Sequence, residues 1–103
     1  MSDELPLPND CTTMAEVRRG VDATDRELIA LLDRRFGYMR AAARIKPERG
    51  MVRDEARKAQ VIENACAEAE QLGLPGEKIT QFWDILVETS IEYELAQWDR
   101  LRS

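Results

Sequence analysis

An all-α fold of three helices, ordered long, short and long, is the fold class this sequence predicts, and three observations lead to it. Apolar residues recur at alternating steps of three and four along three segments, which is the spacing of one helix face. The four prolines and five glycines fall mainly in the first 10 residues and in two connections, so the segments between are free of breakers. No segment shows the period-two alternation of a competing strand.

The first helix begins where Thr13-Met14-Ala15-Glu16 forms a capping box, in which hydroxyl and carboxylate satisfy each other's orphan backbone donors. Its stripe is Met14, Val17, Val21, Thr24, Leu28, Leu31, Arg35, Tyr38, Ala42 and Ile45, and Lys46-Pro47 ends it. Such a helix is about 48 Å long at 1.5 Å per residue. A compact domain of this size has a radius of gyration of about 13 Å. The helix therefore protrudes, and a second copy of the chain is the economical partner, because most soluble oligomers are symmetric homodimers.

The second helix starts near Asp54, with acidic residues in a first turn that the helix dipole favours. Its stripe is Ala59, Ile62, Cys66, Ala69 and Leu72. Gly73 then fits a left-handed stop followed by Leu74 and Pro75, the order of a common C-terminal cap. The third helix runs from about Pro75 or Gly76. Its stripe is Ile79, Phe82, Trp83, Leu86, Val87, Ser90, Glu94, Trp98 and Leu101. Residues 1–9 read as a flexible tail, and residues 10–103 as one helical domain.

A net charge of −5, with Lys and Arg interspersed among acids, disfavours nucleic acid, which needs a basic face. No apolar run approaches the ~20 residues of a membrane span, so no membrane association is expected. With no histidine and two isolated cysteines, Cys11 and Cys66, neither a metal site nor a disulfide framework is expected. Free thiols suit a cytoplasmic location. No cofactor is expected.

Three polar residues interrupt the apolar stripes: Arg35 on the first helix, then Ser90 and Glu94 one turn apart on the third. A charge on a core face needs a partner. Arg35 and Lys46 fall on nearly the same side of the first helix, about 16 Å apart, so a small anion between them reaches both long side chains. Arg18 lies about 25 Å up the axis from Arg35 and is rotated by roughly 100°. It serves the same ligand only from the partner of an antiparallel dimer. The plainer reading makes Arg18, Lys46 and Arg57 solvated surface charges and Arg35 and Glu94 members of buried structural pairs.

Asp10-Cys11-Thr12, Val17-Arg18, Val21-Asp22, Asp25, Leu31-Leu32, Arg34-Arg35, Ala43-Arg44-Ile45-Lys46, Val52-Arg53-Asp54 and Arg57 resemble the all-helical chorismate mutase family and its sister, isochorismate pyruvate lyase. The similarity spans about residues 10 to 98. It implies an intertwined homodimer with two shared sites and a small dicarboxylate substrate, chorismate or isochorismate. Arg18 from the partner chain and Arg35 then bind the two carboxylates, and Arg57 assists. Lys46 and Glu94 contact the ether oxygen of the enolpyruvyl bridge, while Asp54 and Ser90 line the pocket. Lys46, Glu94 and Arg35 are the expected catalytic residues.

The implied activity is conversion of chorismate to prephenate in aromatic amino acid biosynthesis. It is an intramolecular Claisen rearrangement, which needs no nucleophile, metal or proton transfer. Catalysis comes from holding the compact near-attack geometry and from cations that stabilise charge developing on the ether oxygen. Two positions depart from the family pattern. Glu94 stands where many members carry Gln, and a carboxyl donates to the ether oxygen only when protonated. Lys58 stands where mutases often carry a Glu that receives the ring hydroxyl. The alternatives are an isochorismate pyruvate lyase forming salicylate, with weak mutase activity, and a non-catalytic helical dimerisation module.

Overall fold

The computed structural model describes residues 5–103, so the first four residues of the expected tail lie outside the described residues. Three helices, α1 (Met14–Ile45), α2 (Glu55–Gln71) and α3 (Gly76–Leu101), carry the long, short, long order. There is no strand among the described residues. The chain divides into two compact units, and the boundary falls within α1, after Phe36.

In the first unit, a 3₁₀ turn at Pro8–Asp10 precedes the cap of α1. Glu16 Oε1 accepts from the backbone amides of Thr12 at 3.0 Å and Thr13 at 3.1 Å, and Thr13 Oγ1 accepts from Glu16 N at 3.2 Å. This is the expected capping box, extended by one threonine. The Thr12 amide, followed by the two threonine hydroxyls, holds the Glu16 carboxyl below its usual range. Along the stripe expected to be buried, Met14, Val17, Val21, Leu28 and Leu31 are exposed.

The second unit holds the core. Val52, Val87 and Ile91 are buried, with Val61, Ile62, Trp83, Leu95 and Trp98 packed around them. Ala65 and Ala69 are the buried residues of α2, and such small side chains permit close helix approach. Ala59 and Leu72, placed on the buried stripe from the sequence, are exposed, whereas Lys58 is half-buried. The packed face of α2 is therefore rotated from the one expected. In an alanine-rich helix the apolar stripe is broad, and the partner helix decides which edge is covered. Likewise Phe82 and Leu101 are exposed and Ile91 takes their place in the core.

The reversal between α2 and α3 follows its local chemistry. Leu74 N donates to Ala69 O at 2.9 Å and Gly73 N to Glu70 O at 3.0 Å, the paired bonds of a Schellman stop. Gly73 sits at φ 74°, where a side chain is strained. At Gly76 a Cβ would lie 2.7 Å from Glu70 Cγ, so the exposed Glu70 side chain would have to shift.

Candidate active site

Lys46 follows the last residue of α1 and donates its amide to Ala42 O at 2.9 Å. Pro47 then stops the helix, since it has no N–H to continue the ladder. The Lys46 ammonium lies 2.8 Å from Glu94 Oε2, with the lysine side chain 30% exposed and the glutamate 5%. The two meet at ion-pair distance but out of hydrogen-bond alignment, so Glu94 Oε2 is buried without a hydrogen-bond partner. Both observations hold: the charges are in contact, yet the acceptor is unsatisfied. A buried oxygen in that state costs free energy unless a donor arrives.

Ser90, one turn before Glu94, is also buried. Its hydroxyl donates to Leu86 O at 2.7 Å, the local back-bond common for serine in helices. Asp54 is the N-cap of α2 and accepts from Arg57 N at 3.0 Å, so here it satisfies an orphan helix donor. Arg57 is exposed and donates to Gln60 Oε1 at 2.8 Å. Arg18, exposed, and Arg35, half-buried, belong to the first unit. Of the residues singled out from the sequence, Lys46 and Glu94 meet through their charged side chains, and Asp54 meets the Arg57 amide.

A second set of charges ties α2 and the residues just before it to α3. Glu88 accepts from Arg53 at 2.8 and 3.0 Å and from Lys58 at 2.7 Å. Lys58 also reaches Asp84 at 3.1 Å. The Arg53 guanidinium, then the Lys58 ammonium, hold the Glu88 carboxyl down at about 2. Glu88, then Asp84, push Lys58 up. Lys58 is thus committed to two carboxylates.

Several contacts had no sequence signal. Trp98 Nε1 donates to Lys46 O at 3.0 Å, Arg102 reaches the same carbonyl at 2.9 Å, and Arg40 donates to Tyr93 Oη at 2.8 Å. Arg49 forms a two-pronged pair with Asp99 at 2.8 and 3.2 Å. Each joins residues about 50 apart in the chain, beyond any local periodicity. A groove of about 550 Å³ in the first unit, between Leu5–Cys11 and the α1 residues Val17 to Glu27, contains neither Lys46 nor Glu94. No helix among the described residues is long and apolar enough to cross a membrane.

The described residues are all-helical, and the end of one helix and the middle of another bring an ammonium against a buried carboxylate. The profile of the family described as chorismate mutase type II matches residues 17–95, and the chain belongs to that family of enzymes. The matched span contains Arg18, Arg35, Lys46, Asp54, Arg57, Ser90 and Glu94. The chain is also similar to an isochorismate pyruvate lyase of Pseudomonas aeruginosa, at 26% identity over 98 residues, covering 95% of this chain and 97% of the relative.

Proposed function

We propose that the chain is a chorismate mutase that rearranges chorismate to prephenate, and that residues 10–103 form the catalytic domain. The Lys46–Glu94 contact carries this reading. The Lys46 ammonium, held 2.8 Å from the buried Glu94 carboxyl, suits an ether oxygen that gains negative charge as its C–O bond breaks, and Glu94 adds a donor to the same oxygen only when protonated. Arg35 and Arg18 take the substrate carboxylates, Arg57 assists, and Ser90 and Asp54 line the pocket. No cofactor takes part. The two free thiols, Cys11 and Cys66, fit a cytoplasmic location.

The exposed stripe on α1 supports a homodimer. Water-exposed Met14, Val21, Leu28 and Leu31 gain about 25 cal/mol per Å² when a second copy covers them. The partner's Arg18 then enters each site. Light scattering at micromolar concentration should give twice the 11.8 kDa chain mass. Mixing Arg18→Ala with Arg35→Ala should regenerate one intact site per heterodimer; a same-chain arrangement regenerates none.

A second reading, isochorismate pyruvate lyase, is favoured by the similarity to the Pseudomonas aeruginosa enzyme. It is also favoured by Lys58, which replaces a carboxylate common in mutases and is bound to Asp84 and Glu88. The deciding experiment gives the pure protein chorismate and, separately, isochorismate, and compares kcat/KM for prephenate and for salicylate with pyruvate. A preference for isochorismate of about tenfold, or 1.4 kcal/mol in transition-state binding, reverses the assignment.

A further inference from the structure

Lys46 is held at both ends by one side of α3 and its C-cap residue, Arg102. Glu94, Trp98 and Arg102 follow one another at intervals of four residues, so they stack along a single face of about 12 Å. Glu94 meets the ammonium at 2.8 Å. The main-chain carbonyl of the same lysine accepts from Trp98 Nε1 at 3.0 Å and from Arg102 Nη2 at 2.9 Å. Arg102 Nη1 donates to Ala43 O at 3.0 Å and to Trp98 O at 3.3 Å. Its guanidinium lies 4.1 Å from the Trp98 ring centroid.

The physical need is clear from the end of α1. The last carbonyls of a helix have no partner within it, and the amide that might have followed is missing at Pro47. A cation at a helix C-terminus is favoured by the dipole. A planar guanidinium fork reaches two carbonyls at once, which an ammonium on a flexible stem does poorly. Stacking on Trp98 preorganises that fork. A lysine ammonium stands at the end of four rotatable bonds, so its reach depends on where the main chain is anchored.

We propose that Trp98 and Arg102 are positioning residues, which hold the Lys46 main chain so that its ammonium stays at the reacting oxygen. Both lie beyond the 17–95 span matched by the family profile. The inference rests on the assignment of Lys46 to that oxygen. A clamp of this kind acts on the transition state more than on substrate binding, because the carboxylate-binding arginines are separate residues.

The test uses two variants of the full chain. Trp98→Phe keeps an aromatic ring for packing and stacking but removes the indole donor; Arg102→Gln removes the fork. With whichever of chorismate and isochorismate the wild type converts, each should lower kcat by about tenfold and leave KM within about twofold, since small misplacements of a catalytic group are costly. In a Lys46→Ala background, Trp98→Phe should have no further effect on kcat, as expected of residues acting as one unit. Side-chain NMR order parameters of Lys46 should fall in both variants at unchanged helix content by circular dichroism. This last readout needs no turnover: if the wild type converts neither substrate, the functional assignment fails while the NMR result still decides the clamp. An unchanged Lys46 order parameter, an unchanged kcat, or a full kcat loss persisting without Lys46 would each overturn the proposal.

Discussion

Two ion-pair regions on α3 behave differently. Around Glu88, Arg53 and the half-buried Lys58 reach a partly exposed carboxylate with donors aligned at 2.7 to 3.0 Å. Around Glu94, one lysine reaches a buried carboxylate at a similar distance without alignment, leaving Oε2 unsatisfied. A cluster that serves only to join helices can relax until its hydrogen bonds are good, and the exposed cluster has done so. The buried pair keeps an unmet acceptor in a low-dielectric place, where such a group is expensive. On the proposed reading, that difference fits a ligand at Lys46–Glu94 rather than at the larger cluster.

The strongest way to break the comparison is Lys46→Ala. Activity should fall by about a hundredfold or more, as when one charged donor is lost from a desolvated transition-state site. The same change strands the Glu94 carboxylate and should destabilise the fold by about 1–3 kcal/mol. Steady-state kinetics and urea melts measure the two effects. A Lys46→Ala protein with near-normal kcat/KM would remove the distinction between the regions. Arg35→Ala should cost activity by about as much, through loss of a charge-assisted contact to a substrate carboxylate.

Glu94→Gln sharpens the comparison at smaller amplitude. The amide is a donor of nearly the same shape, so the variant should stay active, with kcat/KM within about tenfold of wild type. If instead the folded variant is inactive, the carboxylate is needed as the partner of Lys46, and the donor role is lost.

The smallest effects belong to the exposed cluster. Glu88→Gln should leave kcat/KM within about twofold of wild type, because the Glu88 carboxylate is itself partly exposed and pairs with Arg53 and Lys58. Its signature is in acid. Glu88 is depressed from 4.5 to about 2, so folding favours the carboxylate. Its stabilisation is present above the unfolded range near 4.5 and lost as pH falls toward 2. Thermal melts of the variant should therefore decline less between those limits, with the difference shrinking at high salt. Asp99, lowered by Arg49, and Glu16, lowered by Thr12 and Thr13, act in the same direction, so the variant removes only part of the acid sensitivity.

Local chemistry determined the helix ends. The Thr13–Glu16 box, the Lys46-Pro47 stop, Asp54 as cap and Gly73 at φ 74° each satisfy or forbid backbone groups within a few residues, so the sequence alone exposes them. The presence of Glu94 on a core face was legible for the same reason, since a charge in an apolar period stands out. The choice of packed face on α2, where Lys58 and Ala65 displace Ala59 and Leu72, was decided by tertiary packing. So were Ile91 and Val52 in the core, and the grip of Trp98 and Arg102 on the Lys46 carbonyl. Helix ends are set by backbone groups a few residues apart, which a linear pattern records. Which edge of a broad apolar stripe is covered, and which carbonyl a distant indole reaches, depend on the meeting of segments about 50 residues apart, and no local period encodes that.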